Sequence, residues 1–393
     1  MKLEHAINYD DLRRMARRRL PKIAFDFIEG GTEGEHGLPR NTDAFQRHAL
    51  VPRYMVDISQ RSQSTSLFGR TYASPFGIAP TGAAGLFRSD ADLMLAEAAR
   101  AADIPFIISG AASATIEDIA RVAPEHAWFQ LYPPNNDDLA TDQIARAAAA
   151  GLSTLVVTVD VPNLPKRERN LRNGFSRPLK TSLYCKVEAL AHPGWLAMHY
   201  ARGGQPPLGH YIKYAGPGAT AEQTLDLWSR NVPGPVSWER IERWRRLWPR
   251  KFVLKGIMHP DDAVRAAAIG VDGVMVSNHG GRQLDSSPAP LDVLPAIRDA
   301  AGDKLTVMFD SGIRRGSDAL IALCLGAEFV FVGRWTLYAV AAAGRPGAHH
   351  AVRMIRNEID GTMAQMGAPD IKSLGPQWLM WRDAADRQRN QRP

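Results

Sequence analysis

The stretch Ser277-Asn278-His279-Gly280-Gly281-Arg282-Gln283-Leu284-Asp285 sets a histidine, a glycine pair and an arginine side by side. Imidazole is matched to proton transfer near neutral pH. Two glycines let a backbone approach a flat ligand, and a guanidinium can grip a carboxylate through two parallel bonds. The chemistry on offer is proton abstraction from a small organic acid. A lone histidine is more often structural, but this one follows the end of a short apolar run. Two later clusters, Asp310-Ser311-Gly312-Ile313-Arg314-Arg315-Gly316 and Val332-Gly333-Arg334-Trp335, combine glycines with arginines as a phosphate cradle does. Taken singly, each is more readily read as a tight turn.

Such residues need elements to aim them, and the chain has a rhythm that supplies these. From about Pro75, apolar runs recur at Gly77–Pro80, Pro105–Ser109, Ala127–Leu131, Thr154–Val159, Phe252–Lys255, Gly273–Ser277, Thr306–Asp310 and Glu328–Gly333. Continuous runs such as Leu155-Val156-Val157 suit parallel strands buried on both faces. Between them, Asp90–Ala102, Thr115–Val122, Asp137–Ala150, Asp261–Ala268 and Ser317–Leu325 pair cap residues with good helix formers. Eight strand–helix units predict an α/β fold, a closed (β/α)8 (TIM) barrel rather than an open sheet. The clusters above then fall at the C-terminal strand ends, where barrel active sites lie. Earlier strand ends add Pro80, Thr81 and Gly82, Ser109, Gln130 with Tyr132, Thr158 with Asp160, and Lys255.

Two regions interrupt the rhythm. Residues 1–70 read as a helical extension feeding the barrel. The stretch after the fourth strand is far longer than an ordinary βα loop, and residues 170–237 read as a lid or as a membrane- or acceptor-facing segment. Its Gly/Pro-rich part is flanked by Trp195, Leu196, Met198, Tyr200, Tyr211, Ile212 and Tyr214. Residues 1–380 are expected to form one barrel domain, and 381–393 a polar tail.

The formal net charge of +7 is local, concentrated in Arg13–Arg19 and in Arg240–Lys251 around Trp244 and Trp248. Such clusters read as solvated helix faces or as a surface for anionic membrane; no nucleic-acid recognition motif accompanies them. Two cysteines without CxxC spacing give neither a disulfide framework nor a metal site, and fit a cytoplasmic location. No apolar leader precedes Asp10 and no stretch is long enough to span a bilayer, so the chain is expected to be soluble or peripheral on the inner face of the membrane.

The ordered set LPK (Leu20–Lys22), EGG (Glu29–Gly31), PTG (Pro80–Gly82), WFQLY (Trp128–Tyr132), TVD (Thr158–Asp160), RER (Arg167–Arg169), LKG (Leu254–Gly256), SNHGGRQLD, DSGIRRG and VGR resembles the family of FMN-dependent 2-hydroxy-acid oxidising enzymes. That family includes glycolate oxidase, L-lactate dehydrogenase and, nearest in pattern, mandelate dehydrogenase. The resemblance runs from about Leu20 to near Leu374. It implies oxidation of an (S)-2-hydroxy acid to the 2-oxo acid. His279 is then the base and Asp160 the carboxylate that orients it, roles that spacing alone does not give. Arg167 and Arg282 hold the substrate carboxylate, and Tyr132 bonds the reacting oxygen.

The resemblance also places FMN against Pro80, Thr81 and Gly82, with Ser109, Gln130, Thr158 and Lys255 at the polar edge of its ring. Lys255 stabilises the charge that accumulates on reduction. Ser277 and Asp310 take the ribityl chain, and Gly312, Arg314, Gly333 and Arg334 the phosphate. Two electrons reach flavin N5 as hydride or through a carbanion, both routes being open. A family tyrosine that binds the carboxylate is Phe27 here, which predicts weaker or altered substrate binding. Ala111, and Pro133-Pro134 at the rim, suit a larger side chain. The inserted segment points to a quinone-type acceptor, with an oxygen-using oxidase as the alternative and a non-catalytic flavoprotein as a more distant one. Homotetramers are common in the family and expected here.

Overall fold

The computed structural model describes residues 2–174, 182–201 and 204–382, apart from the side chain of Tyr200. Eight parallel strands close into a barrel: β1 (Phe76–Ile78), β2 (Phe106–Ile108), β3 (Ala127–Leu131), β4 (Thr154–Thr158), β5 (Lys251–Ile257), β6 (Gly273–Val276), β7 (Thr306–Asp310) and β8 (Phe329–Val332). Each pairs with its neighbours in chain order, and β8 returns to β1 through Phe331 opposite Gly77. All eight expected runs are strands. The alternation within them explains why they read as continuous apolar sequence. Val156 points into the barrel with Ile107, Val253, Met275 and Met308, whereas Leu155 and Val157 face the helical jacket.

The jacket helices begin where cap chemistry allows. Thr115 and Asn136 accept bonds from backbone N–H groups in the first turns of Ile116–Val122 and Asp137–Ala149. Ahead of the barrel lie α1 (Tyr9–Arg19) and α2 (Lys22–Glu29). α1 is capped by Asn8, carries Asp10 and Asp11 in its first turn and Arg17–Arg19 in its last, and buries Tyr9, Leu12 and Ala16.

The helical reading of residues 1–70 stops short. After the helix Gly37–Asp43 comes a β-hairpin, Thr65–Leu67 with Arg70–Tyr72. Its turn, Phe68-Gly69, has positive φ at both residues, the conformation that matches hairpin twist. Leu67 and Tyr72 join the residues inside the barrel, and Phe68 packs against Trp128, so the hairpin stoppers the N-terminal end. The supposed tail also begins later than expected, since Leu379–Trp381 pairs antiparallel with His48–Leu50. Residues 383–393 lie outside the described part.

The inserted segment is helical where described: Leu183–Ala189, Pro193–Tyr200, Ile212–Ala215 and Ala221–Asn231. Several of its aromatic residues pack inward. Trp195 donates to the carbonyl of Leu86 at 2.8 Å, Tyr211 is buried, and the Tyr214 hydroxyl donates to Asp142 at 2.6 Å. The exposed apolar side chains are instead Leu183, Tyr184, Val187 and Leu190. They form one stripe of a helix whose opposite side buries Cys185 and Ala189.

The basic clusters are largely engaged within the chain. Arg13 pairs with Glu29 and Arg14 with Asp11. Arg240 and Arg243 converge on Asp137, while Arg245 donates to the carbonyls of Gly270 and Trp248.

The stopper has a measurable cost of removal. Leu67→Ala is expected to lower the unfolding free energy by about 2–5 kcal/mol, read as a lower denaturant midpoint at unchanged slope. An unchanged midpoint would mean that the hairpin does not close the core.

Candidate active site

The catalytic-type residues stand on strands that are not neighbours. Asp160 follows β4 and His279 follows β6, with β5 between them. The crossing is possible because Gly256, at φ +103°, coincides with a register shift in β5, and a Cβ there would lie 2.5 Å from that of Asp160. The His279 Nδ1–H thus donates to Asp160 Oδ1 at 3.0 Å. Nε2 is left facing the cavity, 3.4 Å from the Tyr132 hydroxyl. His279 itself has φ +59°, a left-handed conformation that histidine adopts more readily than most residues.

Lys255 is wholly enclosed. Its Nζ donates to Ser277 Oγ at 2.8 Å and lies 3.0 Å from Asp310. Ser277 Oγ also accepts from the backbone of His279 at 3.1 Å. Ser311 donates to Asp310 and accepts from the backbone of Gly280, both at 2.9 Å. The loops after β6 and β7 are thereby tied to one lysine on β5.

Three arginines complete the wall. Arg282 donates to the carbonyls of Phe27 at 2.8 Å and Gly30 at 2.6 Å, with its guanidinium over the Phe27 ring at 5.2 Å. Arg334 donates to Ile28, Gly30 and Gly280 carbonyls. The C-terminal carbonyls of α2 and its following turn therefore hold both. Among the described residues, Arg167 donates only to Gln283 Oε1, at 3.3 Å, and its Nε is buried without a hydrogen-bond partner.

A cavity of about 570 Å³ opens at this mouth. Phe27, Pro80, Thr81, Gly82, Tyr132, Thr158, Arg167, Lys255 and His279 line it, as do Arg282, Asp310, Gly312, Arg314, Gly333 and Arg334. Asp160 stands behind His279, and Ser277 under Lys255. Ser109 and Gln130 lie just beneath the surface, the Gln130 Oε1 accepting from Gly110 N at 3.0 Å. Ala111 lines the cavity, but Pro133-Pro134 does not: both prolines are buried, and Pro133 O accepts from Gly234 N at 2.8 Å. Unforeseen members include Leu164, Leu171, Leu225 and Trp228, an apolar wall drawn from the long connection after β4. Ser311 and Gln283 stood inside quoted motifs without an assigned place.

The electrostatics are lopsided. Burial alone would raise the Asp160 carboxyl, but the His279 charge and hydrogen bond, with Lys255 behind, hold it below the ordinary carboxylate range. Burial holds His279 below its ordinary value, Lys255 and Arg167 adding to this against the pull of Asp160. For Lys255 burial is outweighed by Asp310 and Asp160, so it stays an ammonium. Arg282 is depressed most, by burial and then by Arg167 and Arg334. A guanidinium does not lose its proton in a protein, so this depression reflects the cost of an enclosed charge beside like charges.

Five cations, Arg167, Lys255, Arg282, Arg314 and Arg334, face two carboxylates, Asp160 and Asp310. The excess of three matches one phosphate monoester, of charge about −1.5 to −2, together with one carboxylate. Other features fit a flavin nucleotide. The Gln130 Nε2 is buried without a partner, as a donor waiting for a ring edge would be. Gly333 precedes the helix Arg334–Ala343, whose first turn has no side-chain cap, leaving its N–H groups for an anion.

This charge pattern on a closed parallel barrel defines an enzyme of the phosphate-cofactor barrel class. Within that class, the chain belongs to the FMN-dependent dehydrogenase family, whose pattern matches residues 16–381. It is an FMN-dependent oxidoreductase acting on CH–OH donors. It is 40% identical over 376 residues to the (S)-mandelate dehydrogenase of Pseudomonas putida, covering 96% of this chain and 94% of that protein. Against an L-lactate dehydrogenase of Vibrio cholerae serotype O1 the identity is 37%, over 95% and 98% of the two chains. The crystal structure of the monotopic membrane protein (S)-mandelate dehydrogenase superposes with a TM-score of 0.92 at 39% identity, over 96% of this chain and all of that one. A mandelate oxidase structure gives 0.82 at 33%, over 96% and 99%.

FMN removal follows from the unbalanced charge. The apo-protein is expected to melt at a lower temperature than the holo-protein, and free FMN at 100 times its Kd to restore about 2.7 kcal/mol. Equal melting of both forms would show that the cations are neutralised otherwise.

Proposed function

We propose that the protein oxidises an (S)-2-hydroxy acid of lactate or mandelate type to the 2-oxo acid and passes the electrons to a quinone-type acceptor at a membrane surface. The observation that carries the first half is the His279–Asp160 pair beside an unneutralised guanidinium pair, Arg167 and Arg282. Asp160 fixes the imidazole with Nε2 toward the substrate, and that nitrogen takes up a substrate proton. The resulting imidazolium is stabilised by the same carboxylate. Arg167 and Arg282 hold the substrate carboxylate and so aim its 2-carbon, while Tyr132 donates to the 2-oxygen.

Pro80, Thr81, Gly82, Ser109, Gln130 and Thr158 would seat the FMN ring. Ser277 and Asp310 would take its ribityl chain, and Gly312, Arg314, Gly333 and Arg334 its phosphate. Bound FMN supplies the two-electron acceptor that amino-acid side chains lack. Lys255, kept charged by Asp310, counters negative charge at the ring edge. Phe27 offers Arg282 a π face where a tyrosine would offer the substrate a hydroxyl. The apolar wall of Leu164, Leu171, Leu225 and Trp228 favours an aryl or larger alkyl substituent.

The acceptor half rests on the stripe of Leu183, Tyr184, Val187 and Leu190. Leu164 and Leu171, which line the cavity, are themselves about half exposed at 47% and 50%. An exposed apolar rim at the cavity and an exposed apolar helix face in the same inserted segment suit a lipid-dissolved acceptor. Among the described residues no helix is long and apolar enough to cross a membrane. The mode of attachment would therefore be peripheral, as in the monotopic (S)-mandelate dehydrogenase. Assembly as a homotetramer is part of this reading on resemblance alone.

Anaerobic mixing of the FMN-loaded protein with (S)-lactate or (S)-mandelate is expected to bleach the visible flavin band; no bleaching by any (S)-2-hydroxy acid would reject the substrate class. Since His279 works unprotonated, kcat/KM should fall as pH drops through its depressed pKa and stay level above it. Asp160→Asn removes the group that raises that pKa, so the acid limb should move lower while kcat drops about 10²–10⁴-fold. An unmoved limb with normal kcat would sink the pairing. For the membrane face, Val187→Asp with Leu190→Asp should abolish co-sedimentation with phospholipid vesicles and spare turnover with a soluble dye. Retained sedimentation would exclude that face.

A further inference from the structure

We propose that Gln283 is a positioning residue that holds the Arg167 guanidinium in register with the His279–Asp160 pair. The inference rests on the reading of Arg167 as a substrate-carboxylate ligand. The two arginines of that reading are anchored unequally. Arg282 is fixed by two backbone carbonyls, from Phe27 and Gly30, and no side-chain substitution elsewhere removes them. Arg167 stands on an irregular loop, and the Gln283 carboxamide oxygen at 3.3 Å is the acceptor that holds its guanidinium. Among the described residues, no carboxylate lies within ion-pairing distance of it.

The other end of the same carboxamide is equally placed. Gln283 Nε2 donates at 3.0 Å to the backbone carbonyl of Asp160, the residue whose carboxylate orients the base. One planar amide thus spans from the base's carboxylate residue to the carboxylate ligand. A neutral amide suits this position because it offers one acceptor and two donors without charge. A glutamate would also accept from Arg167, but it would cancel the charge meant for the substrate and repel the Asp160 carbonyl. An arginine side chain has many accessible rotamers, so releasing Arg167 disperses it among poses of which few meet the substrate. The loop itself is secured elsewhere, Glu33 N donating to Lys166 O at 2.8 Å, so loss of Gln283 frees the side chain and not the backbone.

The test is a double-mutant cycle on the FMN-loaded enzyme with (S)-mandelate and (S)-lactate, measuring KM and kcat separately. Arg167→Met should raise KM by roughly 10- to 100-fold, and Gln283→Met by roughly tenfold, as loss of a charge-assisted bond implies. Flavin spectrum and melting temperature should be unchanged in Gln283→Met. In the Arg167→Met background, Gln283→Met should have almost no further effect, since its target is gone. Gln283→Glu should be worse than Gln283→Met at neutral pH. Multiplicative effects in the double variant, or an unchanged KM in Gln283→Met with Arg167→Met impaired, would overturn the positioning role. An unchanged KM in Arg167→Met would instead overturn the underlying reading of Arg167.

Discussion

Five cations around one cavity, Lys255 buried and four arginines part-buried, are the constraint on which the architecture depends. Like charges about 4 Å apart repel by about 4 kcal/mol at an effective dielectric of 20; Lys255 is offset by Asp310, but the arginines that face ligands must be held by something that does not cancel them. Backbone carbonyls do this well, because they carry partial charge and cannot move away. The end of α2 supplies such carbonyls from Phe27, Ile28 and Gly30 to Arg282 and Arg334. α2 is in turn pinned by the Arg13–Glu29 pair from α1 and by Asn173, whose side-chain amide donates to Asp26 at 2.7 Å. A helical extension that contributes no barrel strand thereby sets the geometry of the site.

Much of this was legible in the sequence, for an identifiable reason. Parallel strands buried on both faces leave long apolar runs, and a barrel collects whatever follows those runs at one mouth, so strand ends and candidate residues could be read together. The hairpin at Phe68-Gly69 was missed because an aromatic residue with positive φ is an unusual turn former. The partnership of Asp160 and His279 came only from family resemblance. Its physical cause is a third residue, Gly256 on the intervening strand, and no spacing rule connects the three. In the inserted segment the aromatics drew attention, whereas burial took several of them inward and left the apolar stripe of Leu183, Tyr184, Val187 and Leu190 outside.

Phe27 illustrates how one substitution can be absorbed by its surroundings. Its backbone carbonyl still anchors Arg282, and its ring lies under the same guanidinium. A cation over an aromatic face is stabilised without a hydrogen bond, so the arginine keeps its place while the phenolic donor is gone. Under the proposed function, the effect of the change would fall on the ligand and not on the wall that holds it.

The hairpin stopper has a consequence for the order of events. With Leu67, Phe68 and Tyr72 filling the far end and side chains packing the interior, the cavity formed by the described residues lies at the C-terminal mouth. An oxidised product must leave by the opening through which a bulky electron acceptor would approach, past Leu164 and Leu171. If the proposed acceptor and the organic acid use that mouth in turn, double-reciprocal plots at several acceptor concentrations would run parallel, the mark of ping-pong kinetics.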